Sequence, residues 1–172
     1  IESSLNKEKD SLIFTLLFKS KGYVGLDFGS NMKNVDIIMV QIEDDNLTIY
    51  DSYSQGAGRP SLDTELGGTD DIENKTFEIL KSTENQDYKY KVSFTRKLKT
   101  KDTQYDFMIE SLEEMRKQNP KSNGKQLFSV AWVIGKPISY HDKNILKTHI
   151  SLSTELNLVY LGEKLLPGTE DD

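Results

Sequence analysis

The chain of 172 residues contains no cysteine. Disulfide bridges, thiolate metal sites, iron–sulfur clusters and covalent c-type haem attachment are therefore excluded, and any metal must be held by nitrogen, oxygen or thioether sulfur. Histidine is almost as scarce. Only His141 and His149 occur, so a zinc site would need carboxylates to fill its remaining positions. Long apolar runs are missing too: Leu12 to Phe18 and Phe128 to Ile134 fall far short of the ~20 residues that cross a bilayer as a helix. Basic residues are outnumbered, 22 against 28 acids for a formal net charge of −6, and they form no stripe. That argues against nucleic acid as a partner, because phosphate neutralisation needs clustered Lys and Arg. No P-loop, HExxH helix, nucleophile elbow or EF-hand loop is present. Gly56-Ala-Gly58 lacks the third glycine of a dinucleotide fingerprint and no helical pattern follows it, so it reads as an ordinary loop.

What the chain does carry is two-residue alternation. In Tyr88 to Thr95 the residues Tyr88, Tyr90, Val92 and Phe94 share one face while Lys89, Lys91, Ser93 and Thr95 share the other, the pattern of a half-buried antiparallel strand. Ile150, Leu152, Leu156 and Leu158 repeat it over Ile150 to Leu158. Further strands are expected at Leu12 to Phe18, Tyr23 to Phe28, Asp36 to Ile42, Leu47 to Tyr53, Phe77 to Lys81 and Leu127 to Ile134, each rich in β-branched or aromatic residues and bounded by turn formers. Many strands joined by short links predict an all-β antiparallel sandwich. Its length suits one domain over 1–172, with a core from about 11 to 158 and a mobile C-terminal tail over 161–172.

Two longer connections interrupt the strands. Ser54 to Asn74 holds Gly56, Gly58, Pro60, Gly67 and Gly68 and is expected to be neither regular strand nor helix. Its acids Asp63, Asp70 and Asp71 are oxygen donors of the kind that hold calcium, against the plainer reading of solvated surface charge. The second, Asp106 to Lys117, places Met108, Leu112 and Met115 at helical spacing before Asn119-Pro120, which predicts one amphipathic helix lying on the sandwich. A start at Ile1 and not Met suggests an N-terminal segment removed or left out, and the sequons at Asn46 and Asn74 would suit a secreted, extracellular or cell-surface glycoprotein.

Several motifs resemble one family when read in order. Gly22-Tyr-Val-Gly-Leu-Asp-Phe-Gly29 is followed by Met32-Lys-Asn-Val-Asp36, then by Tyr50-Asp-Ser-Tyr-Ser54 with Arg59-Pro60 and Asp63. Phe94-Thr-Arg-Lys-Leu98 with Thr100 and Asp102 comes next, and Ala131-Trp-Val-Ile-Gly135 with Tyr140-His141 closes the series. Together they are similar to a DOMON domain of the cytochrome type, over roughly 11 to 158. The resemblance implies an immunoglobulin-like antiparallel sandwich, with the helix near Asp106 to Lys117 as an insertion.

Some members of that family bind haem b between a methionine and a histidine. Carried over residue by residue, the resemblance implies Met32 and His141 as axial ligands and Phe28, Trp132 and Tyr140 as cofactor-binding residues. The protein would then be an electron-transfer module and not an enzyme in its own right, served by a redox partner protein or a small reductant such as ascorbate. From the residues alone, Phe28, Phe94 and Trp132 are interior packing residues, Met32 is equally a gap-filling methionine, and His149 is a structural residue beside a strand. The segment Ser139 to Asn144 also resembles the branch of the family attached to copper monooxygenases. A non-haem module that binds carbohydrate or protein, or a structural subunit that self-assembles outside the cell, are the rival expectations.

Overall fold

The computed structural model describes residues 1–28, 33–56, 58–85, 87–134, 144–153 and 156–158. In chain order the strands are β1 (Glu2–Leu5), β2 (Ser11–Phe18), β3 (Gly22–Asp27), β4 (Lys33–Glu43), β5 (Asn46–Gln55), β6 (Ser61–Leu62), β7 (Ile72–Ile79), β8 (Tyr90–Lys97), β9 (Lys125–Ile134), β10 (Asn144–Ser151) and β11 (Asn157–Leu158). A short 3-10 turn (Asp63–Leu66) follows β6, and one helix, α1 (Leu112–Gln118), precedes β9. One sheet has the order β11-β1-β2-β8-β7 and the other β10-β9-β3-β4-β5-β6, with every pairing antiparallel.

Alternation explains the sandwich. In β8 the residues Tyr90, Val92, Phe94 and Arg96 are buried while Lys91 and Lys97 are exposed, so each second side chain leaves water and contributes roughly 1.5–3 kcal/mol when apolar. Phe14 from β2 stacks on Phe94 at 5.3 Å and on Phe128 at 6.0 Å, and Phe128 meets Phe28 at 5.8 Å. This aromatic column joins the two sheets, surrounded by Leu12, Leu16, Val24, Leu26, Ile38, Val40, Val92, Val130 and Trp132. Strand β3 is buried on both faces. Val24, Leu26 and Phe28 enter the interior, whereas Tyr23 belongs to a second cluster with Val35, Ile37, Met39, Val133 and Tyr50 on the opposite face of the same sheet.

The structure departs from the sequence expectations at five places. The segment Ile150 to Leu158 is not one strand. β10 ends at Ser151, and Asn157 folds back so that its amide exchanges hydrogen bonds with the Ser151 backbone, which sends Asn157–Leu158 to the other sheet beside β1. The glycine-rich stretch is more ordered than its composition suggests, since it contains β6, the 3-10 turn and the start of β7 at Ile72. β7 begins ahead of Phe77 because a bulge between Glu73 and Thr76, with Asn74 at φ 52°, hides the alternation. The helix starts at Leu112 and not at Asp106, capped by Ser111 and Glu114 in a reciprocal capping box. Residues 107–110 form no helix because Phe107 and Ile109 spend their backbone groups on Asp36, Arg96 and Leu98. β1 extends the sandwich N-terminal to the expected core, and the expected tail over 161–172 lies outside the described residues.

Candidate functional site

Of the residues singled out for a cofactor, Met32, Tyr140 and His141 lie outside the described residues. Phe28 and Trp132 are described, and both sit in the interior between the sheets. Phe28 packs on Phe128 and lies 4.8 Å beneath the Arg96 guanidinium, a cation–π arrangement. Phe28 also lines a cavity together with Lys33, Asp36 and Phe107. His149 is exposed on β10 opposite Leu127.

The described residues that flank the segments of Met32 and His141 border one strand at opposite ends. β3 is paired with β4 on one side and β9 on the other. The 29–32 connection leaves its Asp27 end, and the connection after Ile134 leaves its Gly22 end. Five ladder steps separate the two ends, about 17 Å at the rise of an antiparallel strand. The face between them that points away from the interior carries Tyr23, Ile37, Met39 and Val133. Gly25 lies among them without a side chain, although a Cβ there would meet nothing nearer than Ile37 Cγ2 at 3.7 Å and the Ala131 carbonyl at 3.9 Å. Packing of these neighbours therefore does not demand glycine.

A second constellation, unanticipated as a unit, lies at the Asp27 end in the interior. Asp36 and Asp51 occupy inward positions of β4 and β5, in phase with Ile38 and Ile49, and both are buried. Asp63 begins the 3-10 turn at 0% exposure, and Asp102 and Asp106 come from the loop that follows β8. Carboxylate oxygens of Asp36, Asp51 and Asp106 lie within 4.8 Å of one another, and so do those of Asp63, Asp102 and Asp106. A cavity of about 350 Å³, lined by Asp36, Asp106, Tyr53, Tyr105, Phe107 and Lys33 among others, reaches this group.

The charges are only partly compensated. Arg96 Nη2 donates to Asp36 Oδ2 at 2.5 Å, and Phe107 N–H donates to the same oxygen at 2.9 Å. Asp102 accepts from the backbone N–H groups of Thr69, Gln104 and Tyr105. Asp51 Oδ2 accepts from Asp71 N–H at 2.7 Å. Asp36 Oδ1, Asp51 Oδ1 and both oxygens of Asp63 and Asp106 are buried with no hydrogen-bond donor. Burial, ahead of neighbouring negative charge, pushes the carboxyl of Asp51 up to about 8, of Asp63 to about 9 and of Asp106 to about 7. Asp36 also moves up, because desolvation outweighs the pull of Arg96.

The acids of the glycine-rich loop thus do not act as a trio. Asp63 is buried in this group, Asp70 is exposed and paired with Lys75 at 2.6 Å, and Asp71 accepts from Thr69 Oγ1 at 2.7 Å. Parity was the available signal. An aspartate at an inward position of an alternating strand stands out once the apolar face has been assigned.

A DOMON domain family profile matches residues 1–116. Among solved structures, the cytochrome domain of Myriococcum thermophilum cellobiose dehydrogenase superposes with a TM-score of 0.59 at 12% identity, over 87% of this chain and 73% of that one. The cytochrome b domain of Coprinopsis cinerea pyranose dehydrogenase gives a TM-score of 0.48 at 14% identity, over 84% and 69%. At such identities the first likeness concerns the fold alone. A search of curated proteins returns no significant match. With the profile covering about two thirds of its length and a two-sheet sandwich beneath it, the chain belongs to the DOMON domain family.

Proposed function

We propose that this domain is a b-type haem-binding electron-transfer module, with the Met32 thioether and the His141 imidazole as axial ligands. The observation that carries the reading is the two-sheet DOMON sandwich together with an apolar outer face on β3, β4 and β9, where Gly25 carries no side chain. A flat, largely apolar group suits that surface, and the donor set suits its iron: imidazole binds both oxidation states, while thioether favours the reduced one. The name of the solved structure that superposes with a TM-score of 0.59, a cytochrome domain, agrees with it.

Bound haem would supply a single-electron carrier. Met32 and His141 would hold it, while Tyr23, Ile37, Met39 and Val133 would provide a non-polar backing. Its counterparts would be a redox protein or a small reductant that approaches the cofactor edge. Placement outside the cell fits the sequons Asn46 and Asn74, both exposed, and none of the described helices is long and apolar enough to cross a membrane.

The test is a visible spectrum after reconstitution with haem, oxidised and then dithionite-reduced. A sharp Soret band with resolved α and β bands is expected, and Met32→Leu and His141→Ala are each expected to abolish the low-spin signature. A featureless spectrum would turn the assignment to a non-haem module that binds carbohydrate or protein. Retention of the low-spin signature in both variants would remove these two residues as ligands.

A further inference from the structure

We propose that Asp36, Asp51, Asp63 and Asp106 form a binding site for one calcium ion, independent of the haem reading. Every donor in the group is a carboxylate oxygen, a set that selects hard cations over those preferring nitrogen or sulfur. The spacing fits. Calcium takes oxygens at 2.3–2.6 Å, so ligands on opposite sides of one ion lie roughly 4.6–5.2 Å apart, and the two overlapping groups that share Asp106 each span no more than 4.8 Å.

The second observation is what these side chains leave unused. Asp63 is 0% exposed and comes from a different element from its neighbours, yet neither of its oxygens has a hydrogen-bond partner. Asp106 is 7% exposed and in the same condition, and Asp36 and Asp51 each leave one oxygen open. Six buried carboxylate oxygens of these four residues therefore lack donors, and Asp106 belongs to both groups of converging carboxylates. Buried polar atoms are nearly always satisfied by protein or solvent, and a group of this sign and density is satisfied by a cation or by protons.

Arg96 cannot serve all of them. Its guanidinium is engaged by Asp36 Oδ2 and by the carbonyls of Lys97 and Phe107, and Asp36 Oδ1 is left without a donor. Asp102 belongs to the frame and not to the open donors, because three backbone N–H groups already occupy its oxygens. The 350 Å³ cavity lined by Asp36 and Asp106 supplies access, and the raised proton affinity of Asp51, Asp63 and Asp106 describes the same unmet demand for positive charge.

The experiment uses the full chain stripped with chelator and dialysed into chelator-free buffer at pH 7.5. Calorimetric titration with calcium chloride is expected to give one ion per chain, and the melting temperature is expected to rise by roughly 5–10 °C at a hundredfold excess over Kd. Magnesium should bind at least tenfold more weakly, and an equal ionic strength of sodium chloride should not reproduce the rise. Asp63→Asn and Asp106→Asn should each weaken calcium at least tenfold while raising the melting temperature of the stripped protein, since each replaces a buried carboxyl that has no hydrogen-bond donor. Asp70→Asn, in the exposed pair with Lys75, should leave affinity unchanged. The proposal is overturned by absence of stoichiometric binding at millimolar calcium, by an equal response to magnesium or sodium, or by retention of the response in both Asp63→Asn and Asp106→Asn.

Discussion

Arg96 of β8 and Asp36 of β4 meet across the interior, 2.5 Å apart with both side chains 1% exposed, and so tie one sheet to the other. A buried ion pair of this kind is not itself a large source of stability, because desolving both charges offsets most of their attraction. Removing one partner is another matter. Arg96→Met strands Asp36 beside four other aspartates and takes the cation off the Phe28 ring, and should destabilise the fold by about 3–5 kcal/mol. The double change Arg96→Met with Asp36→Leu should recover much of that loss. Urea unfolding midpoints at unchanged m-value measure both.

The stability of the cation-free protein should fall as pH rises. Asp51, Asp63 and Asp106 carry folded-state values raised to about 8, 9 and 7 from 3.8. The native state therefore keeps protons that the unfolded chain has lost, and stability decreases with pH across that interval. The contribution is whole below about pH 4 and is lost by about pH 9. The groups that face one another here are Asp36, Asp51, Asp63, Asp102, Asp106 and the cation of Arg96. Melting temperatures in chelator from pH 5 to pH 9 should decline, and Asp63→Asn should flatten the decline. A rise over that range would contradict the assignment.

These two relations show what the residues disclose on their own. β8 is legible because Tyr90, Val92 and Phe94 alternate with polar residues, and β2 to β5 are legible as β-branched or aromatic runs between turn formers. β7 was misplaced because its bulge shifts the parity, and Asn157–Leu158 was joined to β10 because alternation does not register a change of sheet. Asp36, Asp51 and Arg96 were visible as motif positions, yet their convergence depends on register and on a loop over 107–110 that forms no helix where Met108, Leu112 and Met115 suggested one. Sequence spacing carries no information about such non-local meetings. Only the sheet order brings Asp36 of β4 beside Asp106.

Gly68 should not tolerate alanine. A Cβ there would overlap Asp102 Oδ2 and come within 2.8 Å of Tyr105 Cδ2. The Asp102 carboxylate cannot swing aside cheaply, since the N–H groups of Thr69, Gln104 and Tyr105 hold it at 3.0, 3.3 and 3.1 Å. The clash must be relieved by moving the loop. Gly68→Ala is expected to cost about 1–3 kcal/mol, read as a lowered urea midpoint, together with weaker calcium binding, because Asp102 frames the Asp63 and Asp106 oxygens. Unchanged stability would show that this loop yields more readily than its hydrogen bonds imply.

Gly25 offers the converse case and separates fold from cofactor. Glycine inside a strand is destabilising by roughly 0.5–1 kcal/mol relative to alanine, and a Cβ at this position finds only ordinary contacts at 3.7 and 3.9 Å. Gly25→Ala should therefore leave the unfolding midpoint unchanged or slightly raised. A larger side chain stands out from the apolar face between the two connections, on the side of Tyr23, Ile37 and Val133 and away from the interior. Gly25→Leu should then keep the cooperative unfolding transition but reduce haem uptake at least tenfold in a spectrophotometric titration. If Gly25→Leu takes up haem as the unaltered chain does, the cofactor does not lie on this face. If the variant fails to unfold cooperatively, Gly25→Ala carries the same titration with a smaller expected loss.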